Sequence, residues 1–257
     1  MEYCLFSAGA NIPHPEKAHR GGEDAYLVSP PTHSAIAVAD GVGSWDKKGV
    51  NPKHFAEQIL STTYEFIKSE ETDPKIALTK GFHQTVQIGS ATVCLGILHP
   101  DGIFSVANIG DSGFLVIRNG KILLESEEQQ HQFNYPYQLG RDEHGQPHGT
   151  DLPEDAETYR LRLEVGDVIV MGSDGLLDNL WPKQIVEIVN SHPNESASQL
   201  AHRLATEASK EAQGTTNYVP FYHRAKKEGV NYSSYTGGKI DDITAIVSYV
   251  GEEDGIR

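Results

Sequence analysis

Two cysteines, Cys4 and Cys94, in a chain of 257 residues are too few for a disulfide framework. Their scarcity favours a reducing compartment and leaves room for one buried bridge at most. Long apolar runs are missing as well: no stretch approaches the ~18 residues of a membrane span, so an integral membrane protein is not expected. Positive charge is short, with 21 Lys and Arg against 36 Asp and Glu and a formal net charge of -15. That balance argues against nucleic acid as a partner and makes cations the natural ligands. The amino terminus, MEYCLFSAGANIP, has an acidic residue at position 2 and no basic amphipathic stretch. A targeting peptide is therefore expected to be absent, or to have been removed before this numbering begins.

What is present, 38% hydrophobic and 22% charged residues, is ordinary for a globular chain, and the length suits one sheet-rich domain over 1–257. AYLVS (25–29) and HSAIAVAD (33–40) read as short strands. NPKHFAEQILSTTYEFIKSE reads as a helix capped by Asn51 with Pro52 at its first position, and Phe55, Ile59, Tyr64 and Ile67 fall near one face. DPKIALTKGFHQTV repeats that arrangement with Asp73 and Pro74. The run from SATVCLGIL to KILLES, with turn signals at Asp101-Gly102 and Asn119-Gly120, predicts an antiparallel meander. TYRLRLEVGDVIVMGSDG predicts a further hairpin turning at Val165-Gly166-Asp167. Helical patterns return in KQIVEIVN and ESASQLAHRLATEASKEA, followed by a polar, Tyr-rich loop over 213–238 and a last strand, ITAIVSYV. Strands and helices are grouped rather than alternating, so the class is α+β, with antiparallel sheets covered by helices.

Several strands end on carboxylates. AIAVADGVG stops at Asp40-Gly41, FSVANIGDSG at Asp111 and VIVMGSDG at Asp174-Gly175; Glu23-Asp24 and Asp241-Asp242 directly precede two others. Any single Asp-Gly is first of all a turn, as Asp101-Gly102 is at its hairpin tip. Taken together, the set predicts an oxygen-rich cluster at one sheet edge, costly unless something positive fills it, because close carboxylates repel. Mg²⁺ and Mn²⁺ favour such oxygens, and a glycine after the aspartate allows close approach of its carbonyl. Two ions about 3.5–4 Å apart can activate a water and clamp a phosphoryl group, which makes metal-assisted phosphate hydrolysis the expectation.

The pieces GGEDAY, AVADGVGSW, GSATVCLGIL, ANIGDSGFLVIRNGKI, GDVIVMGSDGLLDNLW and GGKIDDITAIVSYV stand in the order of the metal-dependent protein phosphatases of type 2C, and the chain resembles that family over nearly its whole length. EEQQHQFNYPYQL and the GGKIDDIT ending are similar to its compact organellar branch, and IPHPEKAHRGGEDAYLVS to the plastid side of that branch. The resemblance implies a four-layer αββα sandwich, two antiparallel sheets flanked by helices, with Mn²⁺ or Mg²⁺ at one end. It implies that Asp40 bridges two ions, with the Gly41 carbonyl on one and Asp174 and Asp241 on the other. Glu23 would hold the second ion through water, Asp24 would orient water, and Asp111 and Asp174 would share a weaker third ion. A hydroxide, not a side chain, would then be the nucleophile on phosphoserine or phosphothreonine. A phosphoprotein substrate, with photosystem II core proteins as the candidate, and a monomeric enzyme also follow from the resemblance. So does the location: intracellular, in the plastid stroma if a transit peptide was removed, otherwise in the cytoplasm or mitochondrial matrix.

Two departures stand out. The family's phosphate-gripping arginine lies five residues before the position of Asp24, where this chain has His19, with Arg20 one residue late. The histidine that follows the family's Asp-Gly is Val42 here. These departures keep alive a pseudophosphatase, a binding module without chemistry; a small-molecule phosphatase is the second alternative. His131 reads as an exposed loop histidine, and ESEEQQ (125–130) and GEEDG (251–255) as solvated surface. The long segments 134–151 and 215–238 are expected to form a substrate-contacting rim.

Overall fold

The structure, a computed structural model, describes residues 2–149 and 151–253. Its first half runs β1 (Glu2–Ile12), β2 (Asp24–Val28), β3 (Ala35–Gly41), α1 (Pro52–Lys68), α2 (Pro74–Gln84), β4 (Gly89–Leu98), β5 (Ile103–Ile109), β6 (Gly113–Arg118) and β7 (Lys121–Glu125). Three short strands, β8 (Gln130–Gln132), β9 (Tyr135–Pro136) and β10 (Leu139–Arg141), lead to β11 (Glu157–Arg162) and β12 (Val168–Gly172). The helices α3 (Asp174–Leu177), α4 (Pro182–Ser191), α5 (Ala197–Gln213) and α6 (Pro220–Lys227) precede β13 (Ile243–Glu253).

Strands order as β1-β13-β12-β6-β7 in one sheet and β11-β5-β4-β3-β2 in the other, all pairs antiparallel. Period-two alternation explains the layers. In β3, Ala35, Ala37 and Ala39 face α1 and α2, where Phe55, Ile59 and Phe82 are buried, while Ile36 and Val38 face the opposite sheet. Ile169 and Met171 of β12 and Ile246 of β13 meet them between the sheets. The outer face of that second sheet, with Val168, Val170, Ala245 and Val247, packs on α4 and α5 through Ile185, Val189, Leu200 and Leu204. The result is the four-layer αββα sandwich. Each large side chain removed from water here contributes roughly 1.5–3 kcal/mol.

The helix starts follow local chemistry as the sequence predicts. Asn51 accepts from Lys53 N at 3.1 Å, and Asp73 from Lys75 N at 2.8 Å and Ile76 N at 3.1 Å, each followed by proline. Cys4 and Cys94 are both buried free thiols. Among the described residues no helix is long and apolar enough to cross a membrane.

Three topological expectations need correction. The meander is two hairpins: β4–β5 lies in one sheet and β6–β7 in the other, and the chain changes sheet at Gly110-Asp111-Ser112. The turn at Val165-Gly166-Asp167 likewise joins β11 and β12 of different sheets; Asp167 is buried there and accepts a fork from Arg118 at 2.8 and 2.7 Å. The segment 213–238 is not all loop, because it contains α6. The long first strand, paired along its length with β13, has no alternating pattern to announce it. Of the tail GEEDG, residues 251–253 continue β13 with Glu252 exposed, in keeping with a solvated surface, and Asp254 and Gly255 lie outside the described residues.

Candidate active site

The same alternation that makes the space between the sheets apolar makes one end of it polar. Asp40 continues the inward series Ile36, Val38; Ser173 continues Ile169, Met171; Thr244 precedes Ile246 on the same face. Asp24 is the register partner of Asp40, and its Oδ2 accepts from Ser173 Oγ and Thr244 Oγ1, both at 2.7 Å, so the two sheets are joined by hydrogen bonds at this end. Asp242 is a structural pin, accepting from His14 N at 2.7 Å and Glu23 N at 3.0 Å; of the Asp241-Asp242 pair, Asp241 faces the acidic cluster.

The glycines of the Asp-Gly pairs serve close approach rather than turning. Gly41 ends β3 in extended backbone, and a Cβ there would sit 2.7 Å from the Glu23 carbonyl oxygen. A Cβ on Gly175 would fall on the carbonyl oxygen of Asp242. Both glycines therefore let strand ends crowd together, and this crowding brings the carboxylates into one place.

Burial, then repulsion from Asp24, Asp174 and Asp241, pushes Asp40 well above the ordinary carboxylate range. Asp24 and Asp111 are raised for the same leading reason, with Asp242 repelling the first and Asp174 the second. Burial and Asp174 push Asp241 up to about 7. Burial works against charge at Asp174 too, but Lys239 outweighs it and holds Asp174 below its usual value. The structure brings Asp24, Asp40, Asp111, Asp174 and Asp241 into one electrostatic cluster, with Glu23 beside Gly41 on its flank.

The sequence reading missed the cations. Lys239 Nζ lies 2.5 Å from Asp174 Oδ2, 2.7 Å from Asp178 Oδ2 and 3.2 Å from Asp241 Oδ2. Burial would lower its pKa, but these carboxylates and Asp111 hold it well above the ordinary lysine range. Lys17 pairs with Glu23, and Arg20 forks onto Asp46 at 2.7 and 2.6 Å while reaching Glu23 Oε1 at 2.5 Å. His19 is exposed on the same turn. Asp178 was also missed; it binds Arg224 as well as Lys239. The local signal was a lysine two residues before an Asp pair in GGKIDD, and an Asp one helical turn past Asp174.

Among the described residues no three His, Cys, Asp or Glu side chains close around one point as a finished coordination shell; Glu23, Asp174 and Asp241 lean onto these internal cations instead. The donor chemistry nevertheless fits a hard divalent ion. Every donor is oxygen, Asp24 Oδ1 and Asp174 Oδ1 are buried with no hydrogen-bond partner among the described residues, and an ammonium stands among Asp174, Asp178 and Asp241.

Two further expectations shift. His131 is exposed, as expected, but lies in β8 rather than a loop, where it stacks on Tyr137 at 4.2 Å between centroids and bonds Asp151 at 2.9 Å. Glu128 of ESEEQQ is not simply solvated; burial, only partly offset by Arg224 at 3.3 Å, pushes it up to about 7. In the segment 134–151, Arg141 is buried and donates to Phe82 O at 2.8 Å and Thr85 O at 3.2 Å, so this piece is anchored on the end of α2.

Comparison with known proteins agrees with this architecture. The family model described as Stage II sporulation protein E (SpoIIE) matches residues 30–218. The chain is 38% identical over 249 residues to probable protein phosphatase 2C 1 of Oryza sativa subsp. japonica, covering 93% of this chain and 73% of the relative. It is also 38% identical to probable protein phosphatase 2C 80 of Arabidopsis thaliana, of which it spans 58%. Among solved structures, the photosystem II phosphatase PBCP superposes with a TM-score of 0.88 at 37% identity, over 96% of this chain and 99% of that one. The catalytic domain of the serine/threonine phosphatase PstP, in complex with two manganese ions, has a TM-score of 0.67 over 97% of this chain and 100% of that one; at 15% identity it speaks to the fold alone. The sandwich, the carboxylates at its end and these relatives together place the chain in the protein phosphatase 2C family of protein serine/threonine phosphatases.

Proposed function

We propose that the carboxylate cluster hydrolyses phosphoserine and phosphothreonine in proteins with Mn²⁺ or Mg²⁺ as cofactor, two ions and a weaker third. The observation that carries this reading is the convergence of Asp24, Asp40, Asp111, Asp174 and Asp241 at one end of the sandwich, with two buried oxygens left without donors. Bound there, such ions supply an acidified water as nucleophile and neutralise charge on the phosphoryl oxygens. Asp40 neighbours Glu23 through Gly41 on one side and Asp174 and Asp241 on the other, so it is the carboxylate placed to serve two ions. The Gly41 carbonyl and Glu23, Asp174 and Asp241, and Asp111 would complete the set. Asp24, fixed by Ser173 and Thr244 with Oδ1 open, is set to orient a water by accepting its proton. Arg20 Nε is buried and without a partner among the described residues, and its terminal nitrogens are taken by Asp46 and Glu23, so Arg20 would grip a phosphate only by giving up those pairs.

The function is tested by phosphate release from a phosphothreonine peptide with Mn²⁺, with Mg²⁺ and with chelator. Release that needs the metal supports the reading; none under any metal, from folded protein, sinks it. That second outcome favours the binding module, for which the internal ion pairs on Glu23 and Asp174 are the supporting observation.

The aromatic group of α6 and its following loop, in which Tyr232 meets Phe221 at 5.9 Å and Tyr222 at 5.4 Å, adjoins Lys239 through Phe221 at 5.1 Å. We place the phosphoprotein contact there. The double variant Tyr222→Ala, Tyr232→Ala is expected to lower kcat/KM on a phosphoprotein by about tenfold, the scale of a truncated interface anchor, and to leave a small phosphate ester within about twofold. Equal loss on both substrates would argue for a small-molecule enzyme with the aromatic group serving packing alone. Likeness to the photosystem II phosphatase PBCP supports photosystem II core proteins as the first phosphoproteins to try, and the plastid stroma as the compartment.

A further inference from the structure

Lys239 is held where the cofactor's charge would be needed. Its backbone is fixed on both sides by one side chain: Asn179 Oδ1 accepts from Lys239 N at 2.9 Å and Asn179 Nδ2 donates to Lys239 O at 2.8 Å. With its main chain clamped, Lys239 reaches three carboxylates of unequal standing. Asp174 and Asp241 belong to the proposed metal set, whereas Asp178, one turn further along from Asp174, has Arg224 as a second cation. An ammonium 2.5 Å from Asp174 and a divalent ion on that same carboxylate would repel strongly at such range, and part-burial lessens the screening. The stem has an alternative: Asp178 Oδ2, at 2.7 Å, keeps the charge paired once Asp174 and Asp241 are given up.

We propose that Lys239 is a built-in competitor that sets the metal affinity of this site, pairing with Asp174 and Asp241 in the metal-free protein and withdrawing to Asp178 when a divalent cation binds. The inference rests on the metal-dependent reading above. It makes Lys239 a positioning residue that acts through the carboxylates, and it explains why an acidic cluster of this density is stable before the ion arrives: the ammonium offsets repulsion that would otherwise oppose folding.

The test is Mn²⁺ titration by calorimetry, with melting temperature in chelator read on the same samples, for wild type, Lys239→Met and Lys239→Arg. Lys239→Met should bind Mn²⁺ roughly tenfold more tightly or better, since the site gains a full negative charge, and should melt lower than wild type in chelator. Lys239→Arg keeps the charge and should stay within about threefold of wild type for Mn²⁺. A purely structural lysine would weaken or leave unchanged the Mn²⁺ affinity on removal, so Lys239→Met binding equal to or weaker than wild type overturns the proposal. Equal tightening in Lys239→Arg also overturns it, because charge would not be the cause. Should Lys239→Met need metal to fold, Lys239→Gln and the Mn²⁺ concentration that restores near-UV dichroism replace the titration: a midpoint below the wild-type dissociation constant supports the competitor, one above it does not. If wild type itself binds no Mn²⁺, the metal-dependent reading fails first, and Lys239 is then the permanent counter-ion of a site without metal.

Discussion

Asp40→Asn is expected to lower metal-dependent phosphate release by at least about a thousandfold while leaving the metal-free melting temperature no lower than that of wild type. The two halves have one cause. Asp40 is surrounded by like-charged neighbours: after burial, Asp24, Asp174 and Asp241 raise it well above the ordinary carboxylate range. An amide of the same shape carries no charge for Asp24, Asp174 and Asp241 to repel, so the metal-free fold loses nothing. It cannot supply the bridging charge on which the two proposed cations would depend, and the activity should go with it. Initial rates with Mn²⁺, beside thermal melts in chelator, measure both. Turnover within about tenfold of wild type would remove Asp40 from the centre of the site. A large fall in metal-free stability would mean instead that Asp40 is a structural acceptor.

Much of this arrangement was legible in the chain because it is written in local patterns. Asn51-Pro52 and Asp73-Pro74 carry their helix starts in two residues each, and the inward series Ile36, Val38, Asp40 shows a strand passing from core to site by alternation alone. What was not legible depends on which sheet a strand joins. Val165-Gly166-Asp167 has the chemistry of a hairpin turn, and the same residues serve a crossing between sheets; the difference lies in β11 being an outer strand beside β5, which no local signal states. Asp111 gains its place from such a crossing as well. The internal cations were hidden for another reason. Lys239, Lys17 and Arg224 each sit in polar sequence that reads as solvated, and only the meeting of distant elements turns them into counter-ions for Asp174, Glu23 and Asp178. Glu128 was misread in the same way, since burial against Arg224 and the acidic cluster is invisible in ESEEQQ.

Metal-free protein is expected to lose stability as pH rises from about 5 to about 8, a direction opposite to that of most folded domains on leaving acid. Asp24, Asp40 and Asp111 are raised well above the ordinary carboxylate range by burial and then by neighbouring carboxylates, and Asp241 and Glu128 are pushed up to about 7. An acid whose folded pKa is raised binds more protons in the native than in the unfolded chain, so its contribution is complete below the unfolded value near ~4 and is lost as pH climbs through the folded value. The groups shifted the other way, Asp46 by Arg20 and Glu71 by Lys80, contribute stability that disappears only as pH falls below ~4, outside this window. Each pKa unit carries about 1.4 kcal/mol, and about 2–4 °C of melting temperature goes with each kcal/mol in a chain of this size, so two groups titrating near 7 suffice for a fall of about 5 °C or more. Saturating Mn²⁺ should reverse the slope, because binding needs the carboxylates ionised and the stabilisation by metal therefore grows with pH. Melting curves at pH 5.5, 6.5 and 7.5, with chelator and with Mn²⁺, decide the matter. A metal-free melting temperature that climbs across this range would show that the cluster enters the native state already ionised, satisfied by Lys239, Lys17 and Arg20 alone. The charge of the cluster would then call for no divalent partner.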